Sequence, residues 1–382
     1  NGGLIVPGQF FLENSKETRG SEGRVNGTKQ INSLYFMANL GWRNQLYLDI
    51  TGRNDWSSAL VYTNGTGNYS YFYPSVSSSW VFTESFEMPH WLTFGKVRAS
   101  WAQVGNDTSP YFINRGYSIT NYELSNGNVY GNAMADSSVD PDIKPERKNS
   151  IELGLDARLF SGRLTFDFAW YDETIKNQIG SVPLPNESGL NGGLITNVGS
   201  LQNKGLELSV GVVPVRTNDF QWTSTFNYWD NTTLVKDLHE SYGEYRKLDG
   251  DPDYGNYRIG SVAYNGGQYG VLMSDSKPKV WKSDDPNDPR NGMKILTFNN
   301  TDKQAYYTRS YEIEEVGKLQ PDFEGSWNNE FKYKNLTLSV LIDARYGGHL
   351  ASYSNKYGTT YGFLETSLKG RDGHGGIVWT SQ

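Results

Sequence analysis

The stretch SIELGLDARLFSGRLTFDFAWYDE, residues 150–173, decides the fold. Its first arm sets Ile151, Leu153, Leu155, Ala157 and Leu159 on one side and Glu152, Gly154, Asp156 and Arg158 on the other. Its second arm sets Leu164, Phe166, Phe168 and Trp170 against Arg163, Thr165, Asp167, Ala169 and Tyr171. A period of two belongs to a strand wetted on one side. Ser161-Gly162 between the arms reads as a two-residue hairpin turn, with Gly supplying the positive φ. The hairpin is expected to gather Glu152, Asp156, Arg158, Asp167 and Asp172 on one charged face. Each arm is about eleven residues, longer than the usual five or six and close to the roughly 9–11 that cross a bilayer at a tilt.

Composition agrees with a membrane wall. Only 36% of the 382 residues are hydrophobic, while aromatics reach 14% with 26 Tyr and 11 Trp. A soluble protein this polar, with a mean hydropathy of −0.62, would have a thin core. An outer-membrane barrel needs none, because its apolar residues face lipid, its lumen is wet, and Tyr and Trp gather at the two interfaces. No apolar run reaches the length of a transmembrane helix, which argues against an inner-membrane protein and leaves a barrel untouched. The net charge of −7 offers no basic stripe for nucleic acid. The absence of Cys removes disulfide scaffolds, zinc ribbons and thiol catalysis, and suits passage through an oxidising periplasm. The opening NGGLIVPGQFF has neither a basic n-region nor an apolar h-region, so the chain reads as trimmed at its start or as an internal piece.

The two-arm pattern recurs. Leu34 to Trp42 and Leu46 to Ile50 alternate about a tight Arg43-Asn44 turn. YPSVSSSWVF pairs with LTFGKVRASWAQ through 84–91, setting Val97, Ala99 and Trp101 against Lys96, Arg98 and Ser100. GLELSVGVV, with Glu207 on its polar side, pairs with FQWTSTFNYW across 214–219. GSWNNEFKY pairs with LTLSVLIDAR across Lys334-Asn335, with Asp343 and Arg345 on the polar side. These short turns alternate with the long segments 54–73, 104–148, 176–200, 230–324 and 347 onward, all rich in Gly, Asn, Asp, Ser, Pro and Tyr. Short periplasmic turns opposite long extracellular loops are the mark of an outer-membrane barrel. The segment 230–324 reads as a long extracellular loop region, too long to lack structure of its own, with an extra hairpin expected around GSVAYNGGQYGVLM. About ten spanning strands are legible and neither end closes. An open edge in lipid is not viable, so residues 1–382 read as roughly half of a larger all-β, antiparallel transmembrane barrel.

Taken in order, RNDWSSAL (53–60), YFYPSVSSSW (71–80), VRASWAQVGND (97–107), the block PDIKPERKNSIELGLD opening at Pro141, NVGSLQNKGLELSV (197–210) and PDFEGSWNNEFKYKNLTLSV from Pro321 resemble the SusC/RagA family of TonB-dependent outer-membrane transporters. The resemblance covers nearly the whole chain. It implies a barrel of roughly 22 strands with a plugged lumen, of which this chain is the later half without its last strands. It also implies a SusD-like surface lipoprotein as partner and lid, energy from the TonB complex through an amino-terminal segment outside this sequence, and a glycan or peptide cargo. On that basis Glu152, Asp156, Arg158, Asp167, Glu207, Asp343 and Arg345 are expected to face the lumen and the aliphatic rows to meet outer-membrane lipid.

The remaining motifs weigh less. DGDPDYGN spaces Asp249, Asp251 and Asp253 as calcium loops do, but the Gly and distal Glu of an EF-hand are not where that loop needs them, so a solvated acidic turn is preferred. His90, His239, His349 and His374 have no metal spacing, and acidic pairs such as Asp284-Asp285 lie in a Pro- and Asn-rich loop, so no metal, cofactor or enzyme is expected. Tyr69, Tyr71 and Tyr73, and Tyr353, Tyr357 and Tyr361, read first as interfacial girdles and second as platforms for sugar rings. Arg53, Asp55 and Trp56, at the long-loop end of a strand, are expected to form a substrate- or lid-facing cluster, with strand capping as the plainer reading, and Tyr357 and Tyr361 join them as substrate-binding residues. Two other readings stay open at this point, a soluble secreted glycan-binding or glycan-degrading β-protein and a passive porin.

Overall fold

The structure is a computed structural model that describes residues 7–9, 14 and 27–368, apart from 117, 125, 126, 134, 135, 191, 256, 257, 302 and 303. Its main sheet is a meander of ten strands in chain order, β1 (Ile31–Trp42), β2 (Leu46–Ser57), β3 (Ser70–Val81), β4 (Leu92–Asn106), β5 (Glu146–Leu159), β6 (Leu164–Val182), β7 (Gly193–Arg216), β8 (Phe220–Leu238), β9 (Pro321–Tyr333) and β10 (Leu336–Gly347). The three-residue strand Ser137–Val139 adds to it, parallel to the start of β7.

Register reproduces the alternation. Across β4, β5, β6 and β7 one row runs Val97, Leu155, Phe168 and Leu208, and the next runs Lys96, Asp156, Asp167 and Ser209. A one-residue slip would exchange the two faces, so the contrast between them holds the register. The turns fit the same scheme. Arg43 and Asn44 take positive φ of 50° and 55°. The turn after β5 is longer than the sequence suggests, running 160–163 with Phe160, Ser161 and Gly162 all at positive φ. Pro214, which has no N–H to donate, sits where the β7–β8 register steps between Val212 and Val215.

Two expectations change. Residues 176–182, 193–200 and 230–238 are strand and not loop, because β6, β7 and β8 run to 19, 24 and 19 residues. Their apolar face stops well before their ends. Trp170 and Leu206 pair in its last row, and the next row on the same side is Asp172 with Lys204. Asp172 therefore lies opposite to Asp156 and Asp167, as its even position dictates, and it pairs with Lys204 at 3.2 Å. The apolar band is seven to nine residues long, roughly 18–23 Å in height at a tilt of about 40°, a little under the ~25 Å apolar belt of such barrels.

Beyond that band the connections at the long-loop end build a small core from buried Leu60, Tyr71, Ile113, Ile143 and Ile195. Tyr71 is 5% exposed, so it belongs to this core and not to an interfacial girdle.

A second compact unit comprises 247–263, 268–322 and 346–382. Residues Ile259–Ala263 and Val271–Ser274 form the hairpin anticipated in GSVAYNGGQYGVLM, and Glu314–Lys318 pairs with its second arm. Val262 and Val271 are its buried centre. A further hairpin joins Leu296–Asn299 to Gln304–Tyr307, and a short helix, α1, spans Tyr353–Thr360 with Ser352 as its N-cap.

Candidate functional site

The ionised face of the sheet carries an ion-pair network. Arg98 on β4 reaches Asp156 at 2.7 Å, Asp167 at 3.0 Å and Glu152 at 3.7 Å, and Lys96 reaches Asp156 at 2.7 Å. Gly154, the cross-strand partner of Arg98, makes this possible. A Cβ at 154 would lie 2.2 Å from the Arg98 Nε, so the guanidinium lies flat over bare backbone to reach acids on two further strands. The alternation names the acids and their cations alike, yet Lys96 and Arg98 are absent from the expected site residues. Arg158 shares this face and stacks on Phe94 at 5.1 Å. A shallow groove of about 450 Å³ is bounded by Lys96, Arg98, Asp156, Arg158 and Asp167.

Further along, Glu207 pairs across the strands with Trp229, whose indole donates to Glu324 at 2.9 Å. Arg345 approaches Glu324 at 3.4 Å, which sets Arg345, and Asp343 two residues before it on β10, on the same face. All seven residues expected on the polar side thus share one face.

The Arg53, Asp55 and Trp56 cluster divides. Arg53 Nε donates to Asp55 Oδ1 at 2.7 Å and its NH2 group to Ser33 at 3.0 Å, while the Tyr73 hydroxyl donates to Asp55 Oδ2. Asp55 is 5% exposed. Trp56 follows Asp55 on a strand, so it points to the opposite face and pairs with Ser70. The pair Arg53 and Asp55 therefore ties β1, β2 and β3 together.

Within the second unit, Tyr357 on α1 and Tyr361 at its C-cap have rings 5.9 Å apart and 14° from parallel. Tyr361 and Phe363 are strongly exposed. The spacing of four brings the two rings together. The Asp-rich turn is occupied from within, as Lys247 Nζ lies 2.5 Å from Asp251 and 3.3 Å from Asp253. Those carboxylates raise the Lys247 pKa, holding the ammonium there as their counterion. His374 lies outside the described residues.

Among the loops of the first unit lies a cleft of about 450 Å³, between 62–66, 113–116 and 137–141. The Tyr62 hydroxyl donates to the Asp140 carbonyl at 2.5 Å, and Asn114 bridges the Val61 carbonyl at 2.7 Å and the Thr63 N–H at 3.0 Å. Burial pushes the Tyr62 phenol up from its ordinary pKa, so it stays a neutral donor.

The family model for TonB dependent receptor-like β-barrels matches residues 8–340. The chain belongs to that family. TonB-dependent receptor P26 of Formosa agariphila is 26% identical over 361 residues, covering 89% of this chain and 34% of the relative. TonB-dependent receptor SusC of Bacteroides thetaiotaomicron is 25% identical over 215 residues, covering 53% of this chain and 21% of the relative. A solved structure of the RagAB peptide importer in its closed-closed state superimposes with a TM-score of 0.67 at 21% identity, over 83% of this chain and 33% of that one. The likeness to SusC and RagAB agrees with the SusC/RagA resemblance of the sequence. The chain spans about a third of the length of the first relatives it matches. It is an all-β segment of an outer-membrane barrel, and the reading as a soluble secreted protein falls.

Proposed function

We propose that the chain is part of the wall of an active importer, with the ionised face lining the lumen and the apolar face against lipid. The observation that carries this reading is a single polar face maintained from β1 to β10 and knitted by ion pairs across strands, above all Arg98 on β4 with Asp156 on β5 and Asp167 on β6. A charge on the apolar side would cost about 2–4 kcal/mol near the bilayer midplane for a basic residue. On the polar side the same groups keep water and one another, so the wall holds charge where a solute passes.

In this reading the short turns face the periplasm, and the long connections, with the 239–320 region, face the cell exterior. A SusD-like lipoprotein covers the outer mouth, the TonB complex supplies energy through a plug contributed from outside this sequence, and the cargo is an oligosaccharide or peptide. No catalytic step is assigned. RagAB, a peptide importer, supports the peptide arm, and the stacked rings of half-buried Tyr357 and exposed Tyr361 support the oligosaccharide arm.

The test is uptake by cells carrying the full-length gene. Labelled oligomers should accumulate only when TonB and the SusD-like partner are both present. Accumulation unaffected by loss of TonB would replace the importer with a passive pore.

A further inference from the structure

The loop cleft holds one ionised side chain among its lining residues, Arg115, and no carboxylate. A lining with one cation and no acid runs against the average of a chain whose net charge is −7. Arg115 is exposed and is held over the Phe112 ring at 5.2 Å, and Phe112 packs against the buried loop core. Stacking on an aromatic face positions a guanidinium while leaving its N–H fork free. Among the described residues Arg115 makes no ion pair, so that fork is available to a ligand.

The rest of the cleft is neutral and polar on an apolar floor. Thr63, Asn64, Ser137 and Ser138 offer hydroxyl and amide groups, and Ile113 and Leu190 offer apolar contact. The walls are fixed before any ligand arrives, through Asn114 to Val61 and Thr63 and through Tyr62 to Asp140. A pre-set site of this size, with a few convergent polar groups, is the ordinary form of a small-ligand pocket.

We propose that this cleft is a recognition subsite for an anionic sugar, a ring bearing a carboxylate or a sulfate ester, with Arg115 gripping the anion in a bidentate pair. The side-chain hydroxyls and amides match ring hydroxyls. A peptide would instead need a main-chain partner, and the strand beside the cleft is only three residues long. The inference rests on the importer reading and adds a charge preference to it.

The test uses the purified full-length protein and four probes of matched length, namely an oligogalacturonate, a sulfated neutral oligosaccharide, its unsulfated counterpart and a glutamate-rich peptide. At least one anionic sugar should bind about tenfold more tightly than the neutral one, as a charge-assisted pair allows. Arg115→Gln should remove that preference, and Arg115→Lys should keep part of it. The carboxylate and sulfate arms tell the two anions apart. Equal binding of neutral and anionic sugars, an unchanged preference in Arg115→Gln, dependence on Arg115 for the peptide alone, or no binding by any probe would each overturn the subsite. Uptake that requires TonB, measured separately on the same variants, tells failure of the subsite from failure of the importer reading.

Discussion

The β5–β6 hairpin and the region 247–322 are built on different principles. From 151 to 170 every second residue on the arms of the hairpin is apolar, and the register Leu155 with Phe168 and Asp156 with Asp167 follows from that alone. In 247–322 no such period runs, and outside the hairpin around buried Val262 and Val271 the chain is held by local polar contacts. Arg258 meets Asp275 at 2.6 Å, Asp288 accepts from the Arg290 backbone and side chain, and Ser283 N–H bonds Asn291 at 2.7 Å. A wall between two solvents needs only a contrast between its faces, repeated. A region without that contrast must specify each turn separately, with Asp, Asn and Ser side chains closing their own backbone.

The contrast is broken most directly by exchanging the faces. Leu155→Arg puts a guanidinium in the middle of the apolar band, beside Phe168, at a cost of about 2–4 kcal/mol. Outer-membrane assembly should fail, measured by heat-modifiable mobility and surface labelling. Arg158→Leu on the polar face should assemble. Equal behaviour of the two would refute the assignment of faces.

Removing one donor from a buried acid should cost less. Tyr73→Phe leaves Asp55, which is 5% exposed, with Arg53 but without its phenol. A loss of about 1–2 kcal/mol is expected for a buried acceptor short of one partner, read as a lower midpoint in denaturant titration of the refolded barrel. Tyr73→Trp should not restore it.

Close approach at Gly154 sharpens the comparison further. Gly154→Ala pushes on Arg98 and should cost about 1 kcal/mol, since the network is partly solvated. In an Arg98→Ala background the same change should be nearly neutral, and the two effects should fail to add by 0.5 kcal/mol or more, about the coupling expected of touching residues. Additive behaviour would show that the guanidinium does not lie over that glycine.

Legibility follows the same division. The strands around Leu155, Leu208 and Val97 and the turns at Arg43-Asn44 and Lys334-Asn335 are written in a period of two and in turn residues, so they are read from the sequence directly. The extra length of β6 to β8 was hidden because past Trp170 the outward face turns polar, at Asp172 and Lys204, and the alternation of hydropathy ends while the strand goes on. Parity and not chemistry places Asp172 and Trp56, which fall on the faces opposite to Asp167 and Asp55. Of the candidate site, the acids were visible, and so was the alternation that carries Lys96 and Arg98. Arg115 had no local signal, since what singles it out is the company of loops distant in sequence, 62–66 and 137–141.

The smallest effect belongs to the region without a period. Asp288 accepts from the Arg290 N–H at 2.9 Å and from its guanidinium, and from the Trp281 indole at 3.2 Å, while Arg290 lies over the Trp281 ring at 4.5 Å. The Arg290 side chain, more than any other group, holds the Asp288 carboxyl well below its ordinary pKa. A lowered folded-state pKa means that the contribution is fully present above the unfolded value, about pH 4, and is lost as pH falls through the lowered one. Acidification should therefore loosen this turn in the wild type and not in Asp288→Asn, whose turn is already weakened at neutral pH. The measurement is the fluorescence assigned to Trp281, taken as the difference between each protein and its Trp281→Phe variant. The β5–β6 hairpin, held by its faces, should keep its protease resistance over the same range, and an acid transition shared by both regions would erase the distinction between them.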